Sequence, residues 1–248
     1  MTVELRGVSL TYQSPEGEIE ALRDVSFSLA EGELVSLVGP SGCGKSTILS
    51  IIAGLMPPTS GEVVIPEGRI GLMPQRDSLF EWRSIWGNVT LPLSLHKTSR
   101  EKREQDEQRL RTLLDRYGLA EFAAKPPSHL SGGMRQRCAL IRTLAPDPAL
   151  LLLDEPFSAL DYQTRLVVAD DVCSILRREG KSALLVTHDI SEAVSMTDRV
   201  IVLSRRPASV KSIHDLSEFG DCTPLERRDS ALFREYFQTI WKELDVHV

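Results

Sequence analysis

Apolar positions in this chain change their period along its length, and each change predicts a different kind of element. Over residues 3–12, Val3, Leu5, Val8 and Leu10 alternate with polar neighbours, apart from an irregularity at Gly7. That period of two predicts a strand with one buried face. A turn at Pro15-Glu16-Gly17-Glu18 leads into residues 22–29, where Val25, Phe27 and Leu29 alternate again. Residues 33–38 are almost continuously apolar, as in a strand buried on both faces. A glycine-rich loop follows. Residues 47–55 have helical composition and stop before Pro57-Pro58, and residues 61–65 and 68–73 predict two further short strands.

The middle of the chain reads differently. Residues 99–117 are dense in Arg, Glu, Lys and Gln, with Leu110, Leu113 and Leu114 at helical spacing, which predicts an exposed amphipathic helix. A second helix is expected after Leu130-Ser131-Gly132-Gly133 and ends near Leu144, because Pro146 and Pro148 forbid its continuation. Alternation then resumes, with strands at 150–153, 182–186 and 199–203 and helices at 163–179 and 191–196. Beyond Pro207 the pattern weakens until a helical period returns over 230–244. This order predicts a mostly parallel sheet with helices on its faces, interrupted by a helical insertion at about residues 80–145.

Length and composition narrow the class without naming a chemistry. The chain has 248 residues, 42% hydrophobic and 26% charged, enough for one or two domains of about 150 residues. Its longest purely apolar run is residues 149–153, far short of the roughly 20 residues that span a bilayer. The amino terminus carries no basic region followed by an apolar stretch, so no secretory signal is expected. With 29 basic and 35 acidic residues the net charge is −6, which argues against a generalist nucleic-acid binder. Cys43, Cys138, Cys173 and Cys222 are scattered without metal-ligand spacing and are expected as reduced thiols.

Chemistry enters with Gly39-Pro40-Ser41-Gly42-Cys43-Gly44-Lys45-Ser46-Thr47, which fits the pattern G-x-x-x-x-G-K-[S/T] between an apolar strand and a helix. Glycines let backbone N–H groups curl around phosphate oxygens, and the helix behind them turns its positive end toward the anion. Lys45 brings a full charge to the β- and γ-phosphates, and Ser46 brings a hydroxyl to Mg²⁺. Further on, the apolar strand Leu150-Leu151-Leu152-Leu153 ends in Asp154-Glu155. Ligands of open parallel sheets sit beyond the carboxyl ends of the strands, so both acids are expected near the phosphate loop. Asp154 would hold the Mg²⁺ shell and Glu155 would act as general base on the attacking water.

About twenty residues before that strand lies Leu130-Ser131-Gly132-Gly133-Met134-Arg135-Gln136-Arg137, which resembles the signature motif of ATP-binding cassette (ABC) proteins. Ser131 there caps a helix whose free N–H groups can receive an anion. The resemblance implies that Ser131, Gly132 and Gly133 meet the γ-phosphate of ATP held by the opposite subunit. It further implies a Q-loop glutamine at Gln75, touching Mg²⁺ and sensing the transporter. Ser158-Ala159-Leu160-Asp161 matches the D-loop that crosses the dimer interface, and His188 matches the switch histidine that contacts the γ-phosphate. Tyr12 matches the aromatic that stacks on adenine, although packing alone also accounts for an aromatic at a strand end. The likeness covers residues 1 to about 205 with every motif in order. The segment 61–71 is shorter than usual, and residues 138–144 replace a more common Ala-Arg-Ala-Leu.

The implied fold is α/β: a P-loop NTPase core with a mostly parallel sheet, an antiparallel β subdomain and an α-helical ABC-specific insertion. The implied organisation is a single ATP-binding domain over 1–248. It comprises a nucleotide-binding core (1–80 and 146–205), a helical subdomain with the signature (81–145) and a carboxy-terminal extension (206–248). Residues 79–82, 155–161 with Thr164-Arg165, Arg205-Arg206-Pro207 and the tail 233–244 look like importers of the nitrate/sulfonate/taurine group. An importer ATPase implies ATP and Mg²⁺, a second copy closing head to tail, integral membrane permease subunits, and indirectly an extracytoplasmic solute-binding protein. The chain would then sit peripherally on the cytoplasmic face of the inner membrane, with no nucleic-acid partner. Trp82, Ile85 and Trp86 are the expected exposed apolar residues at the permease dock, although they could equally be buried anchors of the insertion. The competing class is a soluble ABC ATPase acting on nucleic acid or ribosomes, disfavoured by the single cassette, the short insertion and the negative charge.

Overall fold

The computed structural model describes residues 3–15, 17–65, 67–95 and 99–244. The chain opens with the antiparallel pair β1 (Val3–Ser14) and β2 (Gly17–Leu29), then β3 (Leu34–Val38), α1 (Lys45–Ile52), β4 (Ser60–Val64) and β5 (Ile70–Met73). Four helices follow: α2 (Ile85–Val89), α3 (Leu91–Ser94), α4 (Arg100–Arg116) and α5 (Gly132–Leu144). Alternation resumes with β6 (Leu150–Asp154), α6 (Tyr162–Arg178), β7 (Ser182–Val186), α7 (Ile190–Met196) and β8 (Arg199–Leu203). The last described elements are β9 (Val210–Asp215), α8 (Pro224–Asp229) and α9 (Ala231–Glu243).

Two sheets result. The smaller is antiparallel in the order β2-β1-β4, and the larger runs β5-β6-β7-β3-β8-β9, parallel except for the pair β8–β9. Every residue of β3 and β7 is buried, which explains their unbroken apolar character. Successive side chains of a strand point to opposite faces. Leu151 and Leu153 therefore join a core with Ile85 of α2, Leu110 of α4 and Leu140 of α5, while Leu150 and Leu152 join α1 and the antiparallel sheet. Among the described residues the insertion thus shares one core with a face of the main sheet.

Most sequence expectations hold within a residue or two at element ends. The exceptions have visible causes. β2 begins at Gly17, because Tyr12 pairs with Ile19 and Gln13 with Glu18 across the hairpin, where residues 17–19 are exposed and bury no face. β9 was hidden by an inverted pattern: Ser212 and His214 are half-buried while Ile213 is exposed. Their polar groups are satisfied by Glu243 at the end of α9, whose Oε2 lies 2.9 Å from His214 Nε2. Such a partner from a distant helix leaves no local signal.

Candidate active site

Four strand ends of the main sheet converge on one edge. The loop after β3 is residues 39–44, β5 leads to Gln75, β6 ends at Asp154-Glu155 and β7 leads to His188. The parallel order β5-β6-β7-β3 sets these four carboxyl ends side by side, where such sheets bind ligands. The sequence separates these groups by up to about 150 residues, and the topology brings them together.

The glycine-rich loop folds as a cradle. Gly44 has a φ of 129°, and a Cβ there would come 2.8 Å from Leu22 Cδ2, so the position admits no side chain. Gly44 is the N-cap of α1 and provides no side-chain bond, so the first N–H groups of that helix face the cleft with no side-chain cap. Lys45 is buried, and its ammonium donates to Gly39 O at 2.7 Å and to Pro40 O at 3.1 Å. It is thereby held as a bare cation against the loop. Tyr12 is half-exposed and its hydroxyl lies 3.0 Å from Thr47 Oγ1, beside the mouth of the cleft that Ser41, Gly42, Gly44 to Thr47 and Glu155 line. Cys43 is buried inside the loop, and burial raises its thiol against the lowering pull of Lys45.

Ser46 Oγ donates to Asp154 Oδ1 at 3.2 Å. Burial pushes the Asp154 carboxyl above the ordinary range; the Ser46 bond and Lys45 oppose this, while neighbouring Glu155 adds to it. A hydroxyl, an under-compensated carboxylate and the Gln75 amide form a hard-oxygen donor set that suits Mg²⁺ completed by phosphate and water oxygens. Glu155 itself sits in left-handed backbone conformation, with φ 44°, a strained state for a residue with a Cβ. Its N–H donates to Val186 O at 2.8 Å, Gln75 Nε2 donates to its Oε2 at 3.0 Å, and His188 Nδ1 lies 3.3 Å from its Oε1. The carboxylate is thus fixed between two strand ends.

Ser131 caps α5 by accepting from Met134 N–H at 3.4 Å. Gly133 allows α5 to cross close to α6, since a Cβ would meet Val168 Cγ2 at 2.8 Å. Gly132 opens onto a groove of about 620 Å³ shared with Gln75, Asp77, Arg135, Ser158 and Leu160, not onto the phosphate-loop cleft. Asp161 caps α6 through Thr164 N–H at 3.0 Å, which holds its carboxyl below the ordinary range. Sequence reasoning assigned no role to Asp77, Arg135 and Arg142. Arg135 grips Asp77 through two bonds of 2.6 and 3.1 Å and reaches Glu81 at 2.8 Å, while Arg142 donates to the carbonyls of Asp77 and Ser78. The segment after Gln75 is therefore tied to the signature helix, through partners about sixty positions apart that no local pattern joins.

The structure decides between the two readings of the apolar residues after Gln75. Of the apolar residues proposed as exposed after Gln75, Trp82 is, at 79% exposure, but Ile85 is at 0%. Ile85 belongs to the core, and Trp86 packs against it under the guanidinium of Arg111, 4.2 Å from the ring centre. A short helix starting at Ile85, capped by Ser84, turns both inward.

A phosphate cradle between strand and helix, with acids at the end of a nearby parallel strand, defines a P-loop nucleoside triphosphatase. The chain belongs to the ABC transporter family, whose sequence profile matches residues 22–158, and within it the chain is an ATP-binding, ATP-hydrolysing cassette. It is 46% identical over 247 residues to the ABC transporter ATP-binding protein YtlC of Bacillus subtilis, covering 96% of this chain and 94% of that one. It is 39% identical over 216 residues to the taurine import ATP-binding protein TauB of Roseobacter denitrificans, covering 84% and 80% respectively. Among solved structures it resembles the dimeric bacterial ABC transporter cassette MJ0796, with TM-score 0.72, 35% identity, and coverage of 86% of this chain and 98% of that one. A post-hydrolysis form of the same cassette, bound to ADP and Pi, matches with TM-score 0.69 and 33% identity over the same shares.

Proposed function

We propose that the chain energises uptake of a small solute of the nitrate, sulfonate and taurine group through a separate membrane permease. The observation that carries the hydrolytic assignment is the fixed position of Glu155, braced by Gln75 and His188 beside the phosphate loop. Likeness to TauB proteins at 37–39% identity supports the direction of transport and the class of solute.

In this reading the loop N–H groups and Lys45 hold the β- and γ-phosphates, and Tyr12 lies against the base. Glu155 takes the proton of the attacking water, and His188 keeps the carboxylate turned toward the γ-phosphate while contacting its oxygens. Mg²⁺, held by Ser46, Asp154 and Gln75, would neutralise charge on the phosphates. Gly132 lines the groove beside Gln75 and not the cleft of its own chain, so in this reading the site is complete only when a second copy closes head to tail. Ser131 and Gly133 of one copy then face Lys45 and Ser46 of the other, with Asp161 near the seam. Likeness to a dimeric cassette supports this.

The division into a core of 1–80 and 146–205, a helical subdomain of 81–145 and an extension of 206–248 belongs to the same proposal. Trp82 and the groove beside Gln75 receive the permease at the cytoplasmic face of the inner membrane, and an extracytoplasmic binding protein supplies the solute. Among the described residues no helix is long and apolar enough to cross a membrane. Disrupting the gene and following uptake of labelled taurine, an alkanesulfonate and nitrate tests the reading. Loss of uptake of one of them is expected. Unchanged uptake of all three by cells lacking the protein overturns the importer assignment.

A further inference from the structure

The turn that carries His188 is held by a compact set of charges. Thr187 Oγ1 donates to Glu192 Oε2 at 2.6 Å and accepts the Asp189 N–H at 3.0 Å. Asp189 caps α7 through Ser191 N–H at 2.7 Å, and its other carboxylate oxygen takes Arg165 Nη1 at 3.2 Å. Arg165 also donates to Leu160 O at 3.0 Å. One guanidinium therefore joins the residues before α6 to the His188 turn. Behind this set lies the carboxy-terminal segment, for which the hydrolytic reading has no use.

α8 packs against both α6 and α7 and carries the consecutive arginines Arg227 and Arg228. Arg227 is 4% exposed and donates to Thr197 O at 2.7 Å, at the carboxyl end of α7, where a cation complements the helix dipole. Asp189, at the other end of α7, is the foremost charge acting on Arg228. Arg228 Nε and Nη1 are buried with no hydrogen-bond partner among the described residues, and Asp170 Oδ1 is in the same state. Burial lowers the Arg228 guanidinium, and the charges of Asp189, Tyr162, Glu192 and Asp170 oppose that. α9 adds an apolar contact: Ile240, at 0% exposure, packs in one cluster with Ile190, Ala193 and Val194 of α7.

We propose that α8 and α9 form a clamp that sets the position of α7, and with it His188 over Glu155, and that Arg228 is a positioning residue for ATP hydrolysis. The inference rests on the assignment of His188 to the reaction. A half-buried cation with two unbonded nitrogens attracts the acids of the turn through a poorly screening interior. It thereby biases the turn toward one height over Glu155. Small displacements matter here, since a shift of about 1 Å can cost about a hundredfold in rate.

The test uses the full chain with Arg228→Met, which keeps the volume and removes the charge, and Arg228→Lys, which restores the charge. Arg228→Gln serves if the Met variant does not fold. The expected result for Arg228→Met is a kcat lower by roughly tenfold with KM for ATP unchanged, and recovery of most of the rate in Arg228→Lys. In a His188→Ala background, single-turnover rates should show no further loss from Arg228→Met, because the effect passes through His188. An unchanged kcat accompanied only by a lower Tm overturns the proposal, as does an undiminished tenfold loss on top of His188→Ala. A wild-type rate in His188→Ala alone is a distinct outcome that overturns the assignment of His188 and the clamp with it.

Discussion

Glu155 and His188 meet across the ends of two neighbouring strands, with Glu155 Oε1 3.3 Å from His188 Nδ1. The contact needs β6 and β7 in register, and the pair Asp154–Val186 closes that register one residue before Glu155 and two before His188. Glu155 adopts its left-handed backbone conformation at this point, and its own N–H bonds back to Val186 O. Ladder and side chain together hold the carboxylate at the edge of the cleft that the phosphate loop lines.

Glu155→Gln keeps the size of the side chain and its neighbours but cannot accept a proton. Turnover should fall by roughly 10²–10⁴-fold, with ATP affinity close to wild type because Glu155 does not hold the phosphates. The unhydrolysed nucleotide should trap the closed pair of subunits. Size-exclusion chromatography with ATP and MgCl₂ should show a dimer for this variant and a monomer after exchange into ADP. Wild-type turnover in the variant would remove Glu155 from the reaction.

Glu192 gives a pH-dependent prediction. Burial pushes its carboxyl from 4.5 up to about 7, with Asp189 adding to the rise and the Thr187 bond opposing it. The folded state therefore keeps a proton that the unfolded state has lost between about pH 4.5 and 7, so stability falls as pH rises through that window and levels off above it. The loss is on the order of 3 kcal/mol. Glu192→Gln keeps an acceptor for Thr187 and does not titrate. Its urea midpoints should be flatter than wild type over this window, so that the variant gains relative to wild type by pH 8. Parallel midpoint curves would show that Glu192 ionises normally in the fold.

Legibility in the sequence followed the range of the forces involved. The phosphate loop was readable because Gly44, Lys45 and Ser46 act through their own backbone and a helix that starts within the motif. The strands β3, β6 and β7 were readable because burial on both faces forces an unbroken apolar run. Arg135 on Asp77 and Arg227 on Thr197 were not readable, since each pair is joined only by the fold. β9 was lost for a related reason: its inward side chains are polar, and Glu243 satisfies them from another element. Ile85 and Trp86 could not be distinguished from Trp82, because the short helix that turns them inward is fixed by the cap at Ser84 and by the distant carbonyls of Lys125 and Ala123.

The four cysteines should separate by reactivity. Cys222 is exposed, while Cys43, Cys138 and Cys173 are buried. Burial raises all three buried thiols, that of Cys138 to about 12, and only the thiolate reacts. A disulfide reagent at pH 8 should therefore modify Cys222 quickly, with the remaining thiols titrating only on unfolding. Cys43 lies inside the phosphate loop, so bound ATP should leave the pattern unchanged. Labelling of Cys43 as fast as Cys222, suppressed by ATP, would mean that the loop opens in solution.

Trp82 and Ile85 lie three positions apart and should respond in opposite ways. Trp82 is 79% exposed and stacks obliquely on Phe80 at 4.8 Å, so Trp82→Ala should change stability by no more than about 0.5 kcal/mol and leave the ATPase rate of the isolated chain intact. If Trp82 meets the permease, solute uptake should nevertheless fall in cells carrying the variant. Ile85 is fully buried beside Leu140 and Leu144 in the core, and Ile85→Ala should cost about 2–5 kcal/mol. Chemical denaturation of both variants, with uptake measured alongside, separates the roles. A large loss of stability in Trp82→Ala would place that side chain in the fold, and normal uptake in a stable Trp82→Ala would remove it from the permease dock.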